Sequence, residues 1–219
     1  MNVLVSAPQL KRDSLGNTTL MLPMLFAVGI GSGVVGQIAG GSGPDSVPTC
    51  EVRGSREWLS HRSSPLDSVI LVIGGRTAKI CYSRPSARGR VVFGGMIEYG
   101  KLWRTGANEP TVLHLSFAAE VAGIQLPKGR YMLFTVPRPA QWQVAIYASE
   151  AHDAVEMFRS MRAVGQGVAP TEALMEPVET FTIRGVDGVT EGELLLEWER
   201  VRVRIPIKAR GSPAHGNSH

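Results

Sequence analysis

Residues 69–82 read VILVIGGRTAKICY, and this stretch decides the fold class. Val69, Leu71 and Ile73 occupy alternate positions before Gly74-Gly75, and the same spacing recurs after it at Ala78, Ile80 and Tyr82. Alternation is typical of a strand with one buried face, and two glycines can adopt the positive φ angles of a tight hairpin turn. The stretch therefore predicts a β-hairpin.

Further strands are predicted at short spacing after this hairpin. They cover residues 111–117, 129–136, 141–147, 177–183 and 193–207. In the last of these strands the apolar positions change parity near Glu199. A change of parity moves the buried side chains to the other face, so it predicts a bulge or bend.

One segment after the central strands has helical periodicity. Ser149 can cap it, and Val155, Phe158 and Met161 recur at helical spacing, up to about Val164. One short helix among many short strands predicts a mainly β fold, which we expect to be an antiparallel β-sandwich or an open barrel.

The N-terminal segment has the pattern of an export signal. Lys11 and Arg12 precede residues 14–44, which contain no charged side chain and include the apolar run LMLPMLFAVGIGSGVV. This pattern predicts a signal peptide or an N-terminal anchor over residues 1–39. We therefore expect the protein outside the cytoplasm, periplasmic or secreted, or else anchored in a membrane by this segment.

Changes in composition divide the rest of the chain. Residues 40–66 are rich in Gly, Ser and Pro and predict a flexible linker. The strands place the β-sandwich domain at residues 67–207. The polar tail over residues 208–219 is predicted to be disordered.

The charge balance limits the choice of partners. The chain has 23 Lys and Arg against 19 Asp and Glu, a formal net charge of +4. This mild excess permits an acidic ligand but lacks the clustered basic charge of a nucleic-acid-binding arm. We expect a small-molecule ligand, no nucleic acid, and membrane contact only through the N-terminal segment if it is not cleaved. The 5 histidines form no metal spacing with another ligand, so no metal or cofactor is predicted.

The two cysteines, Cys50 and Cys81, allow two interpretations. In an oxidising compartment they can form a disulfide that stabilises the fold by about 3–4 kcal/mol. Alternatively, Cys81 is a buried free thiol on a strand and Cys50 is unrelated to it. The sequence gives no distance between the two sulfur atoms, so both interpretations stay open.

Residues 81–109, CYSRPSARGRVVFGGMIEYGKLWRTGANE, are the best candidate for a functional site. Their glycine density is incompatible with a helix, and their arginines suit a loop surface that binds carboxylate, phosphate or sulfate groups. We expect folding to gather these arginines in one water-accessible hollow, with Tyr99 and Trp103 stacking on a ring or excluding water. The candidate residues for a small anionic or polyhydroxylated ligand are Tyr82, Arg84, Arg88, Arg90, Tyr99, Trp103, Arg104, Asn108 and Glu109.

Two other functions are compatible with this stretch. Glu109 is a candidate general acid/base for a hydrolase or lyase acting on a carbohydrate-like substrate, which needs a second titrating group such as Glu98. A structural envelope-interaction domain would instead show a buried arginine and glycine network without a pocket, and an exposed apolar patch elsewhere.

The same stretch resembles a known family. The strings YSRPSARGR from Tyr82 and YGKLWRTGANE from Tyr99 are similar to the bacterial domain-of-unknown-function family 2911. The similarity continues through Trp142 and the Glu-Trp-Glu string at Glu197, and covers roughly residues 64–207. The resemblance implies an extracytoplasmic β-rich domain of unassigned activity, and it implies no reaction.

Overall fold

The computed structural model describes residues 47–50, 56–148 and 161–211. Within these residues there is one helix, α1 (Arg56–Ser60). The strands are β1 (Leu66–Ile73), β2 (Arg76–Ser83), β3 (Thr111–Leu115), β4 (Ala119–Val121), β5 (Ile124–Leu126), β6 (Gly129–Val136), β7 (Gln141–Ala148), β8 (Arg162–Val186) and β9 (Glu191–Ala209). The prediction of a mainly β fold is confirmed.

The strands form one antiparallel sheet of 9 strands, in the order β1-β2-β3-β6-β7-β8-β9-β4-β5. The first part of β8 pairs with β7 and its second part pairs with β9. The end of β1 also meets the connection after β8, since Ile73 bridges Gly188 and the Gly74 N–H donates to the Gly188 carbonyl at 3.0 Å. The sheet therefore curls around an apolar core, as expected for an open barrel.

The predicted hairpin is confirmed. β1 and β2 pair antiparallel with Val69 opposite Ile80, and the pairing continues to the turn. Gly74 and Gly75 adopt φ angles of 56° and 76°. Both turn residues are thus in the left-handed region that a two-residue hairpin turn requires. Glycine adopts this conformation without strain.

The predicted bend in the last strand is also confirmed. Glu199 has a φ of 50°, and the pairing of β8 with β9 changes register on both sides of the Val178–Glu199 pair. The bend separates the two parts of β9, which explains why the buried positions have opposite parity before and after it.

Some predicted elements differ from the structure. Most of the predicted helix, residues 149–160, lies outside the described residues, and its expected end from Arg162 to Val164 is instead the start of β8. There, pairing of Ala163 with Tyr147 of β7 outweighs the helical spacing of the side chains. The predicted signal or anchor lies outside the described residues. The predicted linker contains α1, and β9 extends to Ala209 at the start of the predicted tail.

Aromatic side chains form the centre of the core. Trp103 stacks on Trp198 with ring centroids 6.0 Å apart, and Phe93 lies edge-on to Trp142 at 4.9 Å. Phe181 lies 5.2 Å from Trp103. Phe93 and Trp103 come from the long connection between β2 and β3, here called the β2–β3 loop (residues 84–110). The loop is therefore fixed to the core by its own aromatic residues.

Candidate functional site

Two of the predicted ligand-binding residues belong to the core. Tyr82 is 2% exposed and Trp103 is 7% exposed. The Trp103 indole N–H donates to the Gly106 carbonyl at 3.0 Å, and the Tyr82 ring packs edge-on against Phe181. Trp103 therefore anchors the loop from inside, and its ring is not presented for stacking on a ligand as the sequence led us to expect.

The arginines of the β2–β3 loop do not share one hollow. Arg84 forms an ion pair with Asp67 at 3.3 Å and donates to Thr182 Oγ1 at 2.9 Å. Arg90 turns back on its own loop and donates to two of its carbonyls, the nearer at 2.9 Å. The guanidinium groups of Arg84 and Arg90 thus bind different acceptors, each near its own part of the backbone. The two side chains, which we expected to converge, are therefore separated.

Residues 62–65, here called the strap, connect α1 to β1 and lie against the β2–β3 loop. The Arg62 side chain is only 3% exposed, and its Nη2 lies 2.5 Å from Glu109 Oε2. The same nitrogen donates to Ser83 Oγ at 3.2 Å. This charge-assisted hydrogen bond anchors the first residue of the strap in a largely dry environment.

Two further predicted site residues bind the backbone of the strap. The Arg88 guanidinium donates to the Ser63 carbonyl at 3.4 Å, and the Asn108 side-chain amide donates to the Ser64 carbonyl at 3.2 Å. Arg88 and Asn108 have φ angles of 53° and 59°. A positive φ angle strains the backbone of a residue other than glycine. At Arg88 and Asn108 this strained conformation occurs in residues whose side chains bind the strap.

The strap is also fixed on either side of these contacts. Downstream, the Pro65 carbonyl accepts a hydrogen bond from the Arg84 backbone N–H at 2.9 Å. Upstream, Cys50 and Cys81 form a disulfide with their Cα atoms 5.6 Å apart. The structure thus contains the pairing that the sequence left open, and it ties the segment before the strap to β2.

Glu109 binds the strap through Arg62. Arg104 donates to the Asn108 carbonyl at 2.6 Å and forms no ion pair with Glu109 among the described residues. Glu98 is exposed, and no contact joins it to Glu109 in the part of the chain that the structure describes. Glu109 therefore has a guanidinium partner, whereas the enzyme alternative needs a second acid or base beside it.

The β2–β3 loop also forms one wall of a groove, here called the carboxylate groove. Its volume is about 360 Å³, within the range of small-molecule sites. The other wall is the irregular part of β8 with the bend of β9. Its lining residues are Ala87, Gly89, Arg90, Val91, Pro177, Val178, Glu179 and Glu199.

Backbone N–H groups hold the two carboxylates of this groove in place. Glu199 accepts a hydrogen bond from the Val92 N–H at 2.8 Å, and Glu179 accepts one from the Arg88 N–H at 2.7 Å. An ionised carboxylate has about four lone-pair positions, so each keeps acceptor capacity for a ligand. Arg90 contributes the cation of the groove, and its Nη1 has no hydrogen-bond partner among the described residues.

The outer part of the loop exposes apolar side chains. Tyr99 is 45% exposed and packs against Gly94, where an added Cβ would lie 2.9 Å from the ring. Val91, Met96 and Leu102 are 68%, 36% and 50% exposed. The interaction-domain alternative expected an exposed apolar patch elsewhere in the molecule, whereas these exposed side chains lie in the β2–β3 loop itself.

Three charged residues of these two sites were missed by sequence reasoning, and Ser83 was not among the predicted ligand-binding residues. Arg62 lies in the predicted linker, where a single arginine gives no signal of a buried ion pair. Glu179 and Glu199 lie on strands far along the chain from the glycine- and arginine-rich stretch. The parity change at Glu199 was the one available signal, since it marked the bend that brings this side chain to the loop.

Neither a cluster of metal ligands nor a membrane-crossing helix occurs among the described residues. Among these residues, no group of three or more His, Cys, Asp or Glu side chains is arranged to hold a metal ion. No helix in the same residues has the length and apolar character needed to cross a membrane.

Comparison with known proteins gives one match. A family model described as "Protein of unknown function (DUF2911)" matches residues 64–207. No curated protein and no solved structure matches the chain. The matched range includes the β2–β3 loop and both walls of the carboxylate groove, and it begins within the strap.

Proposed function

Because the chain belongs to the DUF2911 family, whose description assigns no activity, we propose a function from the geometry of the site. The protein binds a small polyhydroxylated ligand in the carboxylate groove. The observation that carries this proposal is that Arg90, Glu179 and Glu199 line one groove of ligand size.

The charges of the groove favour a neutral, hydroxyl-bearing ligand over an anion. Two carboxylates can accept hydrogen bonds from ligand hydroxyls, and the Arg90 guanidinium can donate to a hydroxyl or ring oxygen. An anionic ligand would meet two like charges beside one opposite charge, which disfavours it. Val91 and Pro177 add apolar surface of the kind that packs on the C–H face of a sugar or cyclitol.

The proposed setting is extracytoplasmic. It is supported by the uncharged segment at residues 14–44 after Lys11 and Arg12. It is also supported by the disulfide between Cys50 and Cys81, because disulfides persist mainly in oxidising compartments.

A thermal-shift experiment with defined probes tests the proposal. D-glucose, N-acetylglucosamine and myo-inositol represent polyhydroxylated ligands, and phosphate and citrate represent anions. A ligand that binds only the folded protein stabilises it by about 2.7 kcal/mol at a concentration of about 100 Kd. We expect at least one polyhydroxylated probe to raise the unfolding temperature, and the anions to have no specific effect.

Groove variants decide whether such a shift comes from this site. Arg90→Ala and Glu179→Gln should each remove the ligand-induced shift, and the glutamine keeps an acceptor for the Arg88 N–H. Arg210→Ala is the matched control and should keep the shift, because Arg210 is an exposed arginine directly after the end of β9 and does not line the groove. An undiminished shift in both groove variants would contradict the assignment.

A second candidate function is an interaction domain, which the exposed Val91, Tyr99 and Leu102 favour. The same experiment separates the two candidates. A wild-type protein that no polyhydroxylated probe stabilises would favour the interaction domain and count against the ligand groove.

A further inference from the structure

The strap site is distinct from the carboxylate groove, and the two share no lining residue. From its geometry we infer that Glu109, Ser83, Arg88 and Asn108 form a preformed binding site for an extended peptide that carries a guanidinium group. The strap is the resident ligand of this site. Three of these residues, Arg88, Asn108 and Glu109, were predicted to bind an external ligand, and in the structure they bind the chain itself.

The guanidinium part of the site is defined by Arg62. Its Nη2 is within 2.5 Å of Glu109 Oε2 and 3.2 Å of Ser83 Oγ, and the side chain is 3% exposed. A carboxylate and a hydroxyl around one buried nitrogen match a donor that carries more than one hydrogen. The contacts select a cationic donor, and the buried position of the Arg62 side chain shows that the pocket has room for a guanidinium group.

The backbone part of the site does not depend on the peptide sequence. Arg88 and Asn108 donate to the carbonyls of Ser63 and Ser64 through their side chains. Main-chain hydrogen bonds combined with one specific side-chain pocket are the usual means of recognising an extended peptide. Residues 62–65 lie outside every strand of the sheet, and Pro65 is bonded to the backbone beside β2 through its carbonyl and the Arg84 N–H.

The receptor residues are held in place without the strap. Ser83 is the last residue of β2, and its carbonyl accepts the Ala107 N–H at 3.3 Å. The Thr111 N–H donates to the Arg104 carbonyl at 3.1 Å, and these two residues bracket Asn108 and Glu109.

The other side of the site is fixed in the same way. The Arg88 backbone N–H is bonded to Glu179 on β8 at 2.7 Å. Since none of these bonds involves the strap, the site should persist when the strap side chain is removed.

The test uses the full chain with Arg62→Ala and methylguanidinium as the probe. Millimolar methylguanidinium should raise the unfolding temperature of the Arg62→Ala protein and leave the wild type unchanged, because wild-type Arg62 fills the pocket. Methylammonium, which has the same charge but is smaller than a guanidinium group, should bind about tenfold more weakly because it leaves part of the pocket unfilled.

Two further measurements make the result decisive. The double variant Arg62→Ala, Glu109→Gln should lose the response to methylguanidinium. The peptide acetyl-Arg-Ser-Ser-Pro-amide should bind Arg62→Ala more tightly than the same peptide with lysine in place of arginine. Equal shifts in wild type and Arg62→Ala, or no shift in either, would overturn the inference.

A second variant replaces Arg62→Ala if that protein does not fold. Arg62→Met keeps the apolar stem and takes its place in the same titration. If neither variant folds alone, both are refolded with methylguanidinium or methylammonium. Recovery of folded protein with methylguanidinium only supports the site, and equal recovery or none contradicts it.

Discussion

The hydroxyl of Tyr82 joins two distant parts of the chain. It accepts a hydrogen bond from the Ile183 N–H at 3.0 Å and donates to Asp67 Oδ2 at 3.3 Å. Burial raises the pKa of Tyr82 above its usual value of 10.0, and the hydrogen bond with Ile183 opposes this only in part. The fold therefore requires the neutral phenol.

This pKa shift gives the stability a dependence on alkaline pH. Above about pH 10 the unfolded chain loses the Tyr82 proton before the folded protein does, so the unfolded state binds fewer protons and stability falls as pH rises. Below that pH the contribution is fully present. The free energy of unfolding, measured by urea titration, should therefore fall as the pH rises above about 10.

Tyr82→Phe is the variant that isolates this effect. It should be less stable than wild type near neutral pH by about 1 kcal/mol, because a buried hydrogen-bonded hydroxyl is lost. Its stability should then fall less steeply than that of wild type on the alkaline side. Parallel alkaline profiles for the two proteins would show that Tyr82 does not titrate as the structure indicates.

At the level of single residues, the sequence predicts that the loop arginines contact polar groups, but it does not predict which groups each arginine contacts. Arg88 and Arg90 are two positions apart in the same loop, yet Arg88 contacts the strap and Arg90 lines the carboxylate groove. The difference depends on the left-handed backbone at Arg88 and on acceptors brought together by the fold. Neither is encoded in the local pattern of charges and glycines.

The β1–β2 hairpin offers a matched pair of glycine variants. Gly74 and Gly75 both have positive φ, but only at Gly74 would an added Cβ meet backbone, 2.7 Å from the Val189 carbonyl oxygen. Gly75→Ala should cost about 1 kcal/mol from backbone strain alone. Gly74→Ala should cost about 2–3 kcal/mol, because the connection between β8 and β9 must also move.

Thermal unfolding of the two alanine variants measures this difference. Gly75→Ala serves as the control for the cost of positive φ. Equal losses of stability would mean that the turn does not pack against Val189. A larger loss at Gly75 would contradict the described contact between the hairpin and the end of β8.

At the level of elements, the success of prediction depends on how local the signal is. The hairpin and the bend at Glu199 were predictable because turn residues and side-chain parity report on neighbouring positions. β4 and β5 were not predicted, since each has three residues and they are joined by an Ala122-Gly123 turn that lacks a common hairpin signal. The start of β8 was predicted as helix because its pairing with β7 is not visible in side-chain periodicity.

For the whole molecule, the β2–β3 loop serves two sites with different partners. One side of it holds the strap through Arg88, Asn108 and Glu109. Another part forms a wall of the carboxylate groove through Arg90. This division explains how one stretch can contain so many glycines, arginines and aromatic residues without forming a single hollow. The attachment of the strap to the loop depends on the contact between Arg62 and Glu109.

A double-mutant cycle on this contact tests directly whether Glu109 holds the strap through Arg62. Urea unfolding of wild type, Arg62→Ala, Glu109→Ala and the double variant gives the coupling energy between the two side chains. We expect a coupling of about 2 kcal/mol, the size typical of a largely buried charge-assisted hydrogen bond. A coupling near zero would show that the strap is not held by Glu109, and it would contradict the division of the β2–β3 loop between two sites.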